Sequence, residues 1–429
     1  MDMPPAKQKK SFLKRFWWIL LIPVVVLIIV MNIPQKNADN TNTSVNTFVD
    51  SPTDQTAQTN TNTTNELTQP QDSLPSCNTT KELFTVFPLK DGDFYQITAL
   101  GNLNPTGHTL PTDHLYVATT DAQYFTPGLK SNAKPLIAPA DMWIVGVQSS
   151  EESGGITDYS IEFSPCKEVK GKFGHIGSIA QNIQAEMDAL EKNCNEYETG
   201  GKTYRSCSYM GMNIEVNAGE EIGTVGDGRS AMLDIWLSDY REPQVNRANP
   251  DRWSTDRNFV SCFLDYYPTE QKDQYYDLII GPDNGKRTKE PRCGTVDVDI
   301  VGTAQGVWFY DLQGQLQGED PHLALAYDNI QTDKQVFSVG TSASSAGIES
   351  GFYSFVPASS GTINRDFSQV TADGTIYCYD TTSYRGGGAR MSILATMPTA
   401  ETLRIKKNSS SRCGTGPWDL GENFVEYER

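Results

Sequence analysis

Residues 16–33, FWWILLIPVVVLIIVMNI, divide this chain before anything else in it can be read. The run is apolar apart from Pro23 and Asn32 and is near the lower limit for crossing a hydrocarbon core of roughly 30 Å. Lys7, Lys9, Lys10, Lys14 and Arg15 precede it, and Trp17 and Trp18 lie at the same end. A basic flank holds its end of a helix in the cytoplasm, and indole rings favour the membrane interface. A cleaved signal peptide would carry a shorter apolar stretch, about 7–15 residues, and a small-x-small site. The following MNIPQKNAD has no such site. The expectation is therefore a cytoplasmic segment (1–15), a retained transmembrane helix (16–33) and an extracytoplasmic remainder, a single-pass protein of the cell membrane.

Residues 34–76 are Asn, Thr, Gln and Ser with almost nothing to bury, the composition of a disordered linker. A flexible chain of this kind spans on the order of 5–6 Å × √n. Asn42, Asn62, Asn78 and Asn408 begin Asn-x-Thr/Ser sequons, weak signals in Asn/Thr-rich sequence. All eight cysteines follow the apolar run. An even number on the exported side points to disulfides, and Cys194 with Cys207 and Cys378 with Cys413 are the pairs suggested by proximity. No CxxC occurs, which argues against a cysteine zinc site. A formal charge of −18 argues against nucleic acid as a partner, because phosphate backbones require basic patches.

Beyond the linker the pattern is of short strands. LYVAT, PLIAPADMWIVGVQ, DYSIEFSP, EEIGTVG and AMLDIWLSD are rich in Val, Ile, Tyr and Phe and bounded by Gly, Pro, Asn and Asp. One helix interrupts them: SIAQNIQAEMDALEKN repeats Ile179, Ile183, Met187 and Leu190 at helical spacing, with Ser178 as its cap. After about residue 291 the strands TVDVDIVG, GVWFYDL, HLALAYDN, QVFSVG, GFYSFVP, TIYCYD, ARMSILATM and TLRIKK follow without helical periodicity. The fold class expected is mainly β, with a first domain at 77–290 and an all-β sandwich or barrel at 291–429.

The order GHTLPTDHLYV, PLIAPADMWIVGV, DYSIEF, KFGHIGSI, VNAGEEIGTVGDGRSAMLDIWLSD over residues ~100–240 resembles the lysostaphin-like (LytM-like) zinc metalloendopeptidases. The resemblance implies an antiparallel β domain in which a His, an Asp four positions on and the second His of an HxH strand hold zinc. Two further histidines, one in the segment matched by KFGHIGSI and the first of HxH, act in catalysis. The framework matches well; the chemistry departs. His108 lies five positions before Asp113, and His114 is the residue in phase with the strand Leu115-Tyr116-Val117. HxH has become Met232-Leu233-Asp234, and a thioether is no base. His175 alone stands where the family has a catalytic histidine.

Three readings stay open. In a rearranged metal site, His108, His114 and Asp234 would hold zinc and His175 would serve as the acid/base group of an envelope-peptide endopeptidase. In a pseudoenzyme the sheet persists without the chemistry, His108 and Asp113 serve as turn groups, and the protein binds an envelope peptide, glycan or protein partner or organises the envelope; this is the reading preferred. In the third, the domain is an unrelated β fold. The 176–215 insertion would overhang one end of the groove. Glu319-Asp320-Pro321-His322 reads as a turn before a strand, and Trp308-Phe309-Tyr310 as core.

Overall fold

Alternating apolar residues in short, turn-bounded runs become two antiparallel sheets in a computed structural model of the chain. It describes residues 73–121, 130–152, 155, 157–199, 202–228, 230–281, 285–383 and 389–429. The segments expected to be cytoplasmic and transmembrane, nearly all of the expected linker, and Asn42 and Asn62 lie outside the described residues. Among the described residues no helix is long and apolar enough to cross a membrane. All of them belong to one compact unit.

The first sheet is built from β1 (Gln96–Thr98), β2 (His114–Ala118), β3 (Lys134–Ile137), β4 (Met142–Glu152), β5 (Thr157–Cys166), β6 (Val169–Ile179), β7 (Asn193–Thr199), β8 (Lys202–Val216), β9 (Glu221–Val225) and β10 (Met232–Asp239). Its main path runs β1-β2-β10-β6-β5-β4-β8-β7, with β9 pairing both β3 and the end of β6. Side chains alternate between faces. Leu115 and Val117 of β2 and Leu233, Ile235 and Leu237 of β10 enter a core shared with Phe163, Phe173 and Phe263. Burying each such side chain contributes about 1.5–3 kcal/mol. His114, Tyr116, Asp234 and Trp236 fall on the opposite face by the same parity. The expected helix forms as α1 (Gln181–Ala189) and buries Ile183 and Met187. Ser178 is not its cap: the helix starts after Ala180 without a side-chain cap, and Ser178 ends β6 with its hydroxyl 2.7 Å from that of Thr224. The rest of the insertion adds β8 and β7 to the sheet edge opposite β1.

The second sheet comprises β11 (Gly306–Trp308), β12 (Leu323–Tyr327), β13 (Gln335–Val339), β14 (Gly351–Phe355), β15 (Tyr377–Ser383), β16 (Arg390–Thr399), β17 (Thr402–Lys407) and β18 (Val425–Glu428). Each pairs antiparallel with the next. Phe309 and Glu428 exchange both backbone bonds, at 2.7 and 2.8 Å, so the meander is a near-closed barrel rather than a sandwich. Eight strands leave an interior just wide enough for side chains, here Trp308, Phe337, Phe355, Phe367, Tyr379 and Tyr427 among others. TVDVDIVG, expected as a strand, is irregular. Its Asp299 instead accepts the backbone N–H groups of Ala248 and Val307, fixing the chain's entry to β11. The Val425–Glu428 strand was not expected.

All eight cysteines pair: Cys194–Cys207 and Cys378–Cys413 as expected, together with Cys77–Cys166 and Cys262–Cys293. The Cys77–Cys166 bridge closes a separation of 89 residues, a loop size for which restriction of the unfolded chain is worth about 4–5 kcal/mol. Between the sheets, Leu103, Leu110 and Trp253 pack against Val307, Phe309, Ala324 and Val336 on the barrel's outer face.

Gly101 enters the same junction at φ +78°, and a Cβ there would lie 1.9 Å from the Thr295 carbonyl oxygen. Gly101→Ala is expected to destabilise the protein by about 2 kcal/mol or more in urea unfolding. A change within about 0.5 kcal/mol would show that this close approach does not exist.

Candidate functional site

Three neighbouring strands put the candidate residues on one face. In register, Trp236 opposes His114, Asp234 opposes Tyr116, and Asp234 on its other side opposes Gly174. Gly174 is needed there because a Cβ would meet the Trp236 ring at 2.9 Å. One residue later His175 adopts a left-handed backbone, φ 59°. Left-handed conformations are strained for a residue with a Cβ and cluster at functional sites.

The histidines converge, but not as the sequence suggested. His114 Nε2 lies 3.8 Å and His175 Nε2 3.3 Å from the same oxygen, Asp234 Oδ2. Each Nδ1 is held by a second carboxylate, His114 by Asp113 and His175 by Asp158, both at 3.0 Å. The His108 ring lies 5.3 Å from that of His114, and its Nε2 is taken by the Tyr116 hydroxyl. Met232 shares the face of Asp234 at its other end and is half-buried.

Asp113 is the hub of the site rather than a turn residue. Its Oδ1 accepts from the Trp236 indole N–H at 3.0 Å as well as meeting His114, and its Oδ2 accepts from Arg257 Nε at 2.6 Å. Arg257 Nη2 reaches Glu319 Oε1 at 2.9 Å, and Glu319 Oε2 accepts the Leu110 N–H at 3.1 Å. Glu319 precedes β12, so this chain of charges ties the first sheet and the 108–110 loop to the barrel. The Trp236 ring lies over His114 at 4.0 Å between centroids, and the Lys172 amino group sits 4.2 Å from that indole.

The electrostatics follow from burial and charge. Burial pushes the His114 imidazole down to about 4 against the pull of Asp113, which favours the charged form. Burial acts to raise Asp113, but the Arg257 charge and the His114 hydrogen bond outweigh it and hold the carboxyl well below its usual range. Burial acts to lower Arg257, and Asp113 and Glu319 push it above its ordinary value. Glu319 is raised by burial despite the same guanidinium. The two acids differ because Asp113 has the His114 hydrogen bond and charge in addition to Arg257, whereas Glu319 has the His108 charge and one backbone N–H beside Arg257 and is repelled by Asp113.

These donors do not fit a zinc ion as they stand. Tetrahedral ligands at roughly 2.0–2.2 Å from the metal lie about 3.3–3.6 Å from one another. Among the described residues, the only three His, Cys, Asp or Glu donor atoms within 4.8 Å of one another are those of Cys77, Cys166 and Glu168, whose sulfurs form a disulfide. Of the expected trio, His114 and Asp234 come together and His108 does not; His175 takes its place. No family model, curated protein or solved structure matches the chain.

Arg257, Glu319 and Trp236 complete the site. Trp236 was legible from parity with Asp234. Glu319 had been read as a turn residue, and it is both: the His322 N–H bonds its carbonyl at 3.1 Å. Arg257 lies in the irregular stretch after β10, where no periodicity marks it.

Arg257→Met would leave two buried carboxylates without their cation. It is expected to cost about 3–5 kcal/mol in urea unfolding; a cost under about 1 kcal/mol would mean that the pair is solvated. A pH effect follows as well. His114 and His322, the latter also pushed by burial to about 4, ordinarily titrate at 6.5. Their folded values are depressed, so the stability they contribute is complete above pH 6.5 and is lost as pH falls towards 4. The loss is on the order of 3 kcal/mol per histidine. Stability that stays flat between pH 7 and 4.5 would contradict these assignments.

Proposed function

We propose that this is a membrane-anchored, exported protein whose first β domain is a degenerate relative of the lysostaphin-like endopeptidases, without peptidase activity, and that it acts in binding or cell-envelope organisation. The observation that carries this reading is the state of Asp113. Both of its oxygens are taken by His114, Trp236 and Arg257, and a carboxylate neutralised by a guanidinium is a poor metal ligand. Met232 removes a second requirement, since no proton can be taken up at that position. Asp113 serves instead, through Arg257 and Glu319, to join two parts of the structure. The anchor and linker rest on the apolar run and the Asn/Thr-rich segment after it.

A second reading is favoured by one observation, the approach of His114 Nε2 and His175 Nε2 to Asp234 Oδ2 with both Nδ1 atoms held by carboxylates. Carboxylate-held imidazoles are the usual outer shell of zinc histidines. Under it the chain is a zinc endopeptidase with a rearranged His/His/Asp set.

Metal content separates the two. Full-length protein equilibrated with zinc and then desalted is expected to retain none in stoichiometric amount, and chelation is expected to leave its melting temperature unchanged. One zinc per chain, lost in His114→Ala, would overturn the non-catalytic reading and support the second.

A further inference from the structure

A cavity of about 150 Å³ lies at the junction of the two sheets, away from the histidines. Leu103 lines it from the first part of the chain, Arg287, Lys289 and Asp297 from the connection, and Tyr327 and Asp328 from the end of β12. Its charges are arranged by depth. Arg287 and Asp328 are buried, 8% and 4% exposed, while Lys289, Glu290 and Asp297 stand at the exposed rim. Arg287 donates from Nε to the Pro291 carbonyl at 2.7 Å and from Nη1 to the Asn329 carbonyl at 2.6 Å. These carbonyl acceptors orient the guanidinium, and the charges of Glu290 and Asp328 partly offset its burial. The Lys289 amino group is placed 5.3 Å from the Tyr327 ring centroid. Asp328 Oδ1 accepts the N–H groups of Ile330 and Gln331, which fixes the carboxylate.

We propose that this cavity binds a small zwitterion of the α-amino-acid class, with its carboxylate on Arg287 and Lys289 and its ammonium on Asp328 and Asp297. Both signs of charge occur at the floor and at the rim, where Glu290 adds a further carboxylate, so a ligand carrying both signs meets a partner at either end. A simple anion would face three carboxylates, and a simple cation would face a guanidinium and an ammonium. An apolar molecule would desolvate buried charge with no return. Size sets the class further. A cavity of about 150 Å³ holds benzene, a molecule of about six heavy atoms, which suits glycine, alanine or serine. Ligand sites favour such junctions. Occupancy would tie the 101–111 loop, the connection and the barrel together and stabilise the folded protein by mass action. The proposal is independent of whether the histidine site is catalytic.

The test uses full-length protein in detergent, with glycine, L-alanine, D-alanine and L-serine as probes and acetate and methylammonium as single-charge controls. At saturation at least one amino acid is expected to raise the melting temperature by about 2 °C or more, and neither control should do so. Calorimetric titration should show affinity for that amino acid falling about tenfold or more in Lys289→Met and in Asp297→Asn, a change of about 1.4 kcal/mol. Both substitutions are at the rim, so unliganded melting should stay close to wild type. The proposal is overturned by a panel with no effect, by acetate or methylammonium matching the amino acids, or by wild-type affinity in both variants.

Discussion

A buried guanidinium holds together the two acids on which the candidate site is built. Arg257 bonds Asp113 on one side and Glu319 on the other, and the arrangement of the site depends on it. Two carboxylates in a largely dry junction repel one another and favour protonation; a cation between them allows Asp113 to stay charged. With its charge retained, Asp113 orients the His114 imidazole and the Trp236 indole. Those two then set the floor beside Asp234. The same cation fixes the barrel against the first sheet at the point where Leu110 and Trp253 pack on Phe309. Buried ion pairs add little net stability over apolar contacts, but they enforce one arrangement because breaking them is costly.

Much of the fold was legible in the sequence because side-chain parity and turn chemistry are local. Runs such as LYVAT, AMLDIWLSD and QVFSVG became strands, and the eight cysteines paired as their even number implied. Where tertiary context dominated, the reading failed. Ser178 has the chemistry of a helix cap, yet strand pairing with β9 holds it in β6 and passes its hydroxyl to Thr224. TVDVDIVG has strand composition, but Asp299 has bonds to make at the mouth of the barrel, and these keep the backbone irregular. Barrel closure by Phe309 and Glu428 joins residues far apart in sequence, which no window of residues reveals.

The site divides in the same way. His114, Asp234 and His175 could be placed on adjacent strands from the order of the motifs, and the shared face of His114 and Asp234 follows from the period of two; His175 departs from that period and reaches Asp234 through its left-handed backbone. The role of Asp113 could not, because it depends on Arg257 in an irregular segment and on Glu319 more than sixty residues further along the chain. His108 illustrates the converse: its proximity to His114 in sequence suggested shared chemistry, but the loop directs its ring to the Tyr116 hydroxyl. A charged chain through Arg257 and a two-signed cavity at Arg287 and Asp328 give this junction more buried charge than packing alone requires.

The most direct measurement is a double-mutant cycle on Asp113→Asn and Arg257→Met, by urea unfolding, run once with zinc and once with chelator. A fixed buried pair predicts a coupling of roughly 2–3 kcal/mol, the same in both conditions. A coupling near zero, or one that changes with zinc, would contradict the claim that this carboxylate is held by arginine and not by a metal.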